Sequence, residues 1–132
     1  MEFKIDTKEK FTVITLLEPE IYDKMADELK NTCLTYLEQE VKNVVLDMGQ
    51  VTTISSSIAQ ALALLQQSFY EGNASFVLCA IQPSVDAVFE EQDLGDIINQ
   101  TPTESEAWDI VQMEEIEREL LDGDDMLFDS NE

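Results

Sequence analysis

The chain reads as one α/β domain, a small mixed β-sheet of four to five strands flanked by about four helices. Three observations lead there. Two short runs, Val44-Val45-Leu46 and Phe76-Val77-Leu78-Cys79-Ala80-Ile81, are continuously apolar, as strands covered by helices on both faces are. Segments with apolar residues at helical spacing alternate with these runs. The length of 132 residues, 44% of them apolar, suits one core and leaves no room for a multidomain chain.

Taken in order, residues 3–6 and 11–17 read as a hairpin. Phe11, Val13, Thr15 and Leu17 share one face, and Lys8, Glu9 and Lys10 lie near the turn. After Glu18-Pro19-Glu20, the recurrence of Tyr22, Met25, Ala26, Leu29, Cys33, Tyr36 and Leu37 gives a first helix one buried stripe. Residues 44–46 form the next strand, expected to pair in parallel. Residues 57–71 form a second helix through Ile58, Ala61, Leu62, Leu65 and Phe69, stopped by Gly72-Asn73. Residues 76–81 are a further central strand, and Pro83 opens a short helix through Val85, Val88 and Phe89. Ile97-Ile98 is expected as a last, edge strand. Thr103 and Glu106 have capping-box spacing, each set to satisfy an orphaned backbone N–H, and open the final helix.

Residues 1–112 thus make up the domain, and residues 113–132 an acidic helical extension and tail. From residue 114 onward there are nine acids and one Arg, which accounts for −8 of the total charge of −22. Met113, Ile116 and Leu120 nevertheless keep helical spacing. Two readings stay open for them, packing on their own domain and a seam for a partner or for a homodimer. Trp108 is read as packing the last helix on the sheet. Met126-Leu127-Phe128 is read as a solvated tail end, with a docking motif for a basic groove as its alternative.

Charge and composition exclude several functions. With 29 Asp and Glu against 7 Lys and Arg, the chain lacks the basic stripe that nucleic acids require. No apolar run approaches the roughly 20 residues of a membrane span, so no direct membrane insertion is expected. The start alternates apolar and charged residues without a secretory pattern, and a cytoplasmic location is expected. Histidine is absent, which removes the usual general base and the commonest metal ligand. Cys33 and Cys79 sit in apolar surroundings and are read as buried thiols without a function. Adjacent acids such as Glu90-Glu91 are read as solvated surface, the nearest lysine to the serine run, Lys42, precedes a strand, and no enzyme is expected. Asp122-Gly123-Asp124-Asp125 fails the calcium-loop pattern because Met126 and Leu127 interrupt its oxygens, and four glycines make no phosphate-binding loop. No metal or cofactor is expected.

The segment from Val44 to Leu62, with Asp47-Met48-Gly49-Gln50-Val51-Thr52-Thr53-Ile54-Ser55-Ser56-Ser57-Ile58 at its centre, resembles the signature region of STAS domains, the family of bacterial anti-sigma-factor antagonists. Gly72 before a strand, Leu78 to Ile81, Pro83-Ser84-Val85, Leu94 and Thr103-Glu104-Ser105-Glu106-Ala107 also fall where that family places such residues. The resemblance covers roughly residues 3–112. It implies a small mixed sheet flanked by helices, in agreement with the order read from the residues.

In the family's phosphoregulated members, a strand ends in Asp-Ser-Ser-Gly, and a serine-kinase anti-sigma factor phosphorylates the first serine. The matching tetrad here is Ser55-Ser56-Ser57-Ile58, so the resemblance makes Ser56 the phosphoacceptor candidate, with Ser55, Ser57 and Ile58 as the switch loop around it. Two departures stand at this centre, Ser55 for the acid and Ile58 for the glycine. Either Ile58 faces the core, or a partner's pocket differs. The spacing of Ser57 and Gln60 reads as a second capping box, which makes Ser57 the expected helix cap. The resemblance therefore implies an antagonist-like regulator that binds a serine-kinase anti-sigma factor or similar protein. The alternative is a phosphorylation-independent STAS adaptor subunit of a larger lipid-transport or signalling assembly.

Overall fold

The computed structural model describes the backbone of residues 1–130 and the side chains of residues 1–121. Among the described residues, seven strands and four α-helices follow one another as β1 (Phe3–Thr7), β2 (Thr12–Leu16), β3 (Glu20–Ile21), α1 (Ala26–Leu34), β4 (Val44–Asp47), β5 (Thr53–Ile54), α2 (Ser56–Glu71), β6 (Phe76–Cys79), α3 (Pro83–Glu91), β7 (Gln100–Thr101) and α4 (Glu104–Ser130). Five strands form the main sheet in the order β1-β2-β4-β6-β7, and β3 pairs with β5 in a separate two-stranded ribbon. Only β1 runs antiparallel, from Phe3 opposite Leu16 to Thr7 opposite Thr12. The β2, β4 and β6 strands are parallel and in step, Val13 beside Val45 and Val45 beside Val77. The expected small mixed sheet with four flanking helices is the observed architecture.

The sheet divides the core into two layers. Ile14, Leu16, Val44, Leu46, Phe76 and Leu78 point toward α1, α2 and α3, where they meet Leu29, Cys33, Ile58, Leu62, Phe69, Val85 and Phe89. Phe11, Val13, Val45, Val77 and Cys79 point the other way and meet Ala107 and Val111 of α4. Trp108 closes that layer by stacking on Phe11, centroids 4.9 Å apart and planes 16° from parallel, as its core assignment requires. Both faces of β2 are therefore covered. The one-faced hairpin expected for residues 11–17 is corrected on this point, because β2 is an inner strand and its alternate residues Ile14 and Leu16 are fully buried too. The solvent-facing edge falls to β1, whose Lys4 and Asp6 carry charge along its exposed length.

Helix ends explain why the connections are short. Asn73 and Asp93 adopt left-handed backbone, φ 59° and 58°. In each case the next residue's N–H reaches back to a Phe carbonyl, Ala74 to Phe69 and Leu94 to Phe89, both at 2.8 Å. This is the Schellman closure, with the apolar contact that usually accompanies it. After the second closure, the N–H groups of Ile97 and Ile98 both bond to the Leu94 carbonyl. The expected edge strand at Ile97-Ile98 is therefore a turn that plugs Ile98 into the core, and the edge strand is Gln100–Thr101. That polar pair serves as a strand because ladder bonding needs backbone groups, not apolar side chains: Leu78 N–H reaches Asn99 O at 2.9 Å and Ala80 N–H reaches Thr101 O at 3.1 Å.

The final helix begins where its capping residues place it. Glu106 N–H donates to Thr103 Oγ1 at 3.2 Å, while the Glu106 carboxylate accepts from that same hydroxyl rather than from a backbone N–H. The helix then runs without a break across residues 112 and 113.

Candidate functional site

The parallel strands end together at one edge of the sheet, where crevices of open α/β sheets gather function. There, β4 ends at Asp47 and the chain crosses residues 48–52 to reach β5 and the start of α2. This crossing is pinned from four sides. Asp47 Oδ1 accepts the Gly49 N–H at 2.9 Å. Gln82 Nε2 donates to the Gly49 carbonyl at 2.9 Å, and Ser84 Oγ donates to the Thr52 carbonyl at 2.7 Å. Thr52 bonds the Pro19 carbonyl through its hydroxyl at 3.0 Å and its N–H at 2.8 Å. Met48 and Val51 are fully buried beneath. A Cβ on Gly49 would stand 3.2 Å from the Asp47 carboxylate and 3.5 Å from Ala80 Cβ, so a side chain here would press on the bonded turn. Ala80 itself holds a left-handed φ of 58°, an uncommon conformation for a residue with a Cβ, sustained by its bond to Thr101.

Pairing of Glu20 with Thr53 and of Ile21 with Ile54 brings the Glu18-Pro19-Glu20 loop beside the turn. Tyr22, 44% exposed, hydrogen-bonds the Glu20 carboxylate through its hydroxyl, and that bond raises its pKa above the ordinary phenol value.

The serine run is resolved residue by residue. Ser55 has extended backbone, φ −82° and ψ 165°, and its Oγ accepts the N–H of Ile58 at 3.3 Å. Ser55, not Ser57, is the helix cap. The expected capping box of Ser57 and Gln60 is thus corrected: β5 ends at Ile54, Ser56 and Ser57 already have helical backbone, and a cap must lie outside the helix it closes. Serine and aspartate are equivalent as caps, so Ser55 keeps the local role an acid would have there while removing its charge. Ile58 is fully buried within the core that includes Val51, Ile54 and Leu62. Of the two readings left open for it, the core is the one found.

Ser56 and Ser57 are exposed in the first turn of α2. The Ser56 hydroxyl accepts from Gln92 Nε2 at 3.3 Å, and Gln92 Oε1 in turn accepts from Gln60 Nε2 at 2.9 Å. The two glutamines tie the candidate hydroxyl to the end of α3. Nothing in the linear chain marks this relay, because Gln92 lies 36 residues from Ser56 and the local spacing of Gln60 points to Ser57. The first N–H groups of α2 add a partial positive charge at the turn, suited to an anionic group on the hydroxyl.

Other candidates recede. Burial pushes the thiols of Cys33 and Cys79 up to about 12, with Asp47 and Glu104 adding to the shift at Cys79, so both stay protonated and unreactive near neutral pH. Among the described residues no three His, Cys, Asp or Glu side chains are grouped to hold a metal ion, and no helix is long and apolar enough to cross a membrane. The Asp122-Gly123-Asp124-Asp125 and Met126-Leu127-Phe128 motifs have side chains outside the described residues. A concavity of about 810 Å³, lined by Lys10, Glu40, Lys42, Asn43 and Arg118 among others, lies at the opposite end of the sheet from Ser56. A smaller one of about 270 Å³ lies between α2 and the residues just before β7.

A family model described as STAS domain matches residues 2–107. Among solved structures, the fold is similar to that of an anti-sigma factor antagonist from Mycobacterium paratuberculosis, with a TM-score of 0.72 and 17% identity over 84% of this chain and 93% of that one. It is also similar to the Bacillus cell fate determinant SpoIIAA in its phosphorylated form, with a TM-score of 0.60 and 18% identity over 83% of this chain and 99% of that one. A third likeness is to the murine solute carrier 26 family member A9 anion transporter, with a TM-score of 0.67 and 15% identity over 79% of this chain and 18% of the transporter. Identities this low speak for the fold alone.

Proposed function

The chain belongs to the STAS domain family, and from that premise we propose that it is an anti-sigma-factor antagonist working by reversible protein binding, switched by phosphorylation of Ser56. Its partner is a serine kinase that doubles as an anti-sigma factor. Unmodified, the chain binds that partner in the cytoplasm and so releases the sigma factor; phosphate on Ser56 ends the interaction. The switch belongs to residues 1–112, with residues 113–132 the acidic C-terminal helical extension and tail, and the chain itself catalyses nothing.

The observation that carries this reading is the state of Ser56, an exposed hydroxyl in the first turn of α2 between a capping Ser55 and a buried Ile58. A phosphate there meets the positive end of the helix and adds about −1.5 to −2 charge to a contact surface without touching the core. Gln92 Nε2, already within 3.3 Å of the hydroxyl, is a ready donor to it. A relative of the same fold, SpoIIAA of Bacillus, is described in a phosphorylated form.

A second reading, a phosphorylation-independent adaptor of a larger lipid-transport or signalling assembly, is favoured by one observation. Ser55 keeps the cap but removes the negative charge that the family's kinase-recognised tetrad carries next to the acceptor.

The two are separated by affinity capture from native cells with wild type, Ser56→Ala and Ser56→Asp, alongside the intact mass of the endogenous protein. Capture of a serine-kinase anti-sigma factor by wild type and Ser56→Ala, its loss with Ser56→Asp, and a phosphate adduct are the expected results. Capture of one scaffold or transporter by all three, with no adduct, would establish the adaptor instead.

A further inference from the structure

Residues 113–121 of α4 are built inside out. Ala107 and Val111 point into the core. At 3.6 residues per turn the positions that continue this inward line are 114, 115 and 118, and they are Glu114, Glu115 and Arg118. Each is bonded to the domain: Asn99 Nδ2 donates to Glu114 Oε2 at 3.1 Å, Asn43 Nδ2 donates to Glu115 Oε1 at 3.0 Å, and Arg118 donates to Ser75 Oγ at 3.3 Å. Met113, Ile116 and Leu120 lie on the opposite side, about 180° around the helix. They are 59%, 55% and 60% exposed. An amphipathic helix ordinarily turns its apolar stripe inward. Here three polar bonds hold the rotation that turns it out.

We propose that this outward stripe of α4 docks a basic amphipathic helix of a partner protein, at a surface separate from the Ser56 turn. The charge around the stripe selects the occupant. Asp109, Glu117 and Glu119 stand on or beside it, and the one cation of this stretch, Arg118, points inward to Ser75. Apolar residues edged by lysine or arginine meet both features, burying the stripe and pairing the acids. A second copy brings the same acids to the same edges, on a chain that already carries −22, and is disfavoured by that repulsion.

Location makes the surface independent of the switch. Glu115 and Arg118 are tied to Asn43 and Ser75, which precede β4 and β6, whereas the Ser56 turn follows the far end of β4. The two surfaces lie at opposite ends of the parallel strands and can be occupied together.

The test uses the full chain and a defined probe, an amphipathic leucine–lysine peptide of about 18 residues, five helical turns. A leucine–glutamate peptide with the same apolar face serves as its counterpart. The expected result is binding of the lysine peptide alone, with amide shifts confined to residues 109–121 and absent at residues 55–58. Ile116→Ser combined with Leu120→Ser should weaken it about tenfold or more, as loss of central apolar anchors does. Leu64→Ser, at an exposed leucine on α2, should leave affinity unchanged. Both variants change exposed side chains, and a thermal melt by circular dichroism verifies their folding. The proposal is overturned if no peptide binds, or if the double variant binds as tightly as wild type, since binding then reflects only the net charge. It is equally overturned if sedimentation equilibrium of the peptide-free chain shows a dimer that the double variant dissolves, because the occupant is then a second copy.

Discussion

Replacing Ile58 by glycine restores the residue that the family's phosphoregulated tetrad carries, yet the structure requires that it harm the fold. The Ile58 side chain is fully buried among Val51, Ile54 and Leu62. Truncating a buried isoleucine to a methyl group costs about 2–5 kcal/mol, through lost transfer free energy and the cavity left behind. Glycine in a helix costs up to ~1 kcal/mol more. Ile58→Gly should therefore destabilise the chain by about 3–6 kcal/mol, a large part of the 5–15 kcal/mol typical of a domain. For a chain of this length that corresponds to a fall in Tm of about 10–20 °C. Ile58→Val, which removes one methylene, should lose only about 0.5–1.5 kcal/mol. Urea titrations and thermal melts of the three proteins measure the series. A loss below about 1.5 kcal/mol for Ile58→Gly, with an unchanged denaturant slope, would refute the argument and return Ile58 to the contact surface.

Three further outcomes follow from other contacts. Ser55→Ala should cost about 0.5–2 kcal/mol through loss of the cap, Ser55→Asp should hold the stability near wild type, and Ser57→Ala should change it by no more than about 0.5 kcal/mol; chemical denaturation ranks them, and an equal loss at Ser57 would return the cap to that residue. Asn43 is 8% exposed and joins the Lys10 carbonyl, Glu115 and the buried N–H of Ser75, so Asn43→Ala should destabilise by about 1–3 kcal/mol and speed hydrogen exchange at residues 113–121 in preference to residues 56–71. The Cys33 and Cys79 thiols, raised by burial from 9.0 to about 12, should resist Ellman's reagent in the native protein. Because the unfolded thiol ionises first, the stability these groups contribute is whole below about pH 9 and is lost as pH rises from there toward 12, a decline that denaturation midpoints across that range will register and that Cys33→Ala will reduce.

The order of elements was legible from local pattern wherever burial and backbone geometry agree. Val44 to Leu46 and Phe76 to Cys79 are apolar on both faces because helices cover both, and Leu62, Leu65 and Phe69 repeat at helical spacing because one face of α2 is buried. Pattern misled where a side chain is buried without a strand or helix to explain it. Ile98 is core, but as part of a turn, and the edge strand that follows it at Gln100–Thr101 is polar because backbone pairing alone makes it. The same limit explains the inner position of β2, since alternation is a signal of one covered face and fails where there are two.

At the site, the sequence by itself determined that a helix opens at the serine run and that the chain carries no histidine to assist it, while the short strand β5 before the run left no local pattern. These follow from residue types and near-neighbour spacing. Which serine caps, where Ile58 points, and what holds the Ser56 hydroxyl were decided only by the tertiary structure. Ser55 caps because the pairing of Ile54 with Ile21 fixes where β5 stops, and Ile58 is buried because α2 lies on the sheet in one rotation. The Gln92 amide reaches Ser56, and the Gln60 amide reaches Gln92, because the fold brings α3 against α2. The outward stripe of α4 has the same origin: helical spacing shows that Met113, Ile116 and Leu120 share a face, but only the bonds of Glu114, Glu115 and Arg118 to Asn99, Asn43 and Ser75 decide which way that face looks. Spacing along a chain sets relative angles about an axis; the orientation of the axis and its rotation come from contacts between residues far apart in sequence.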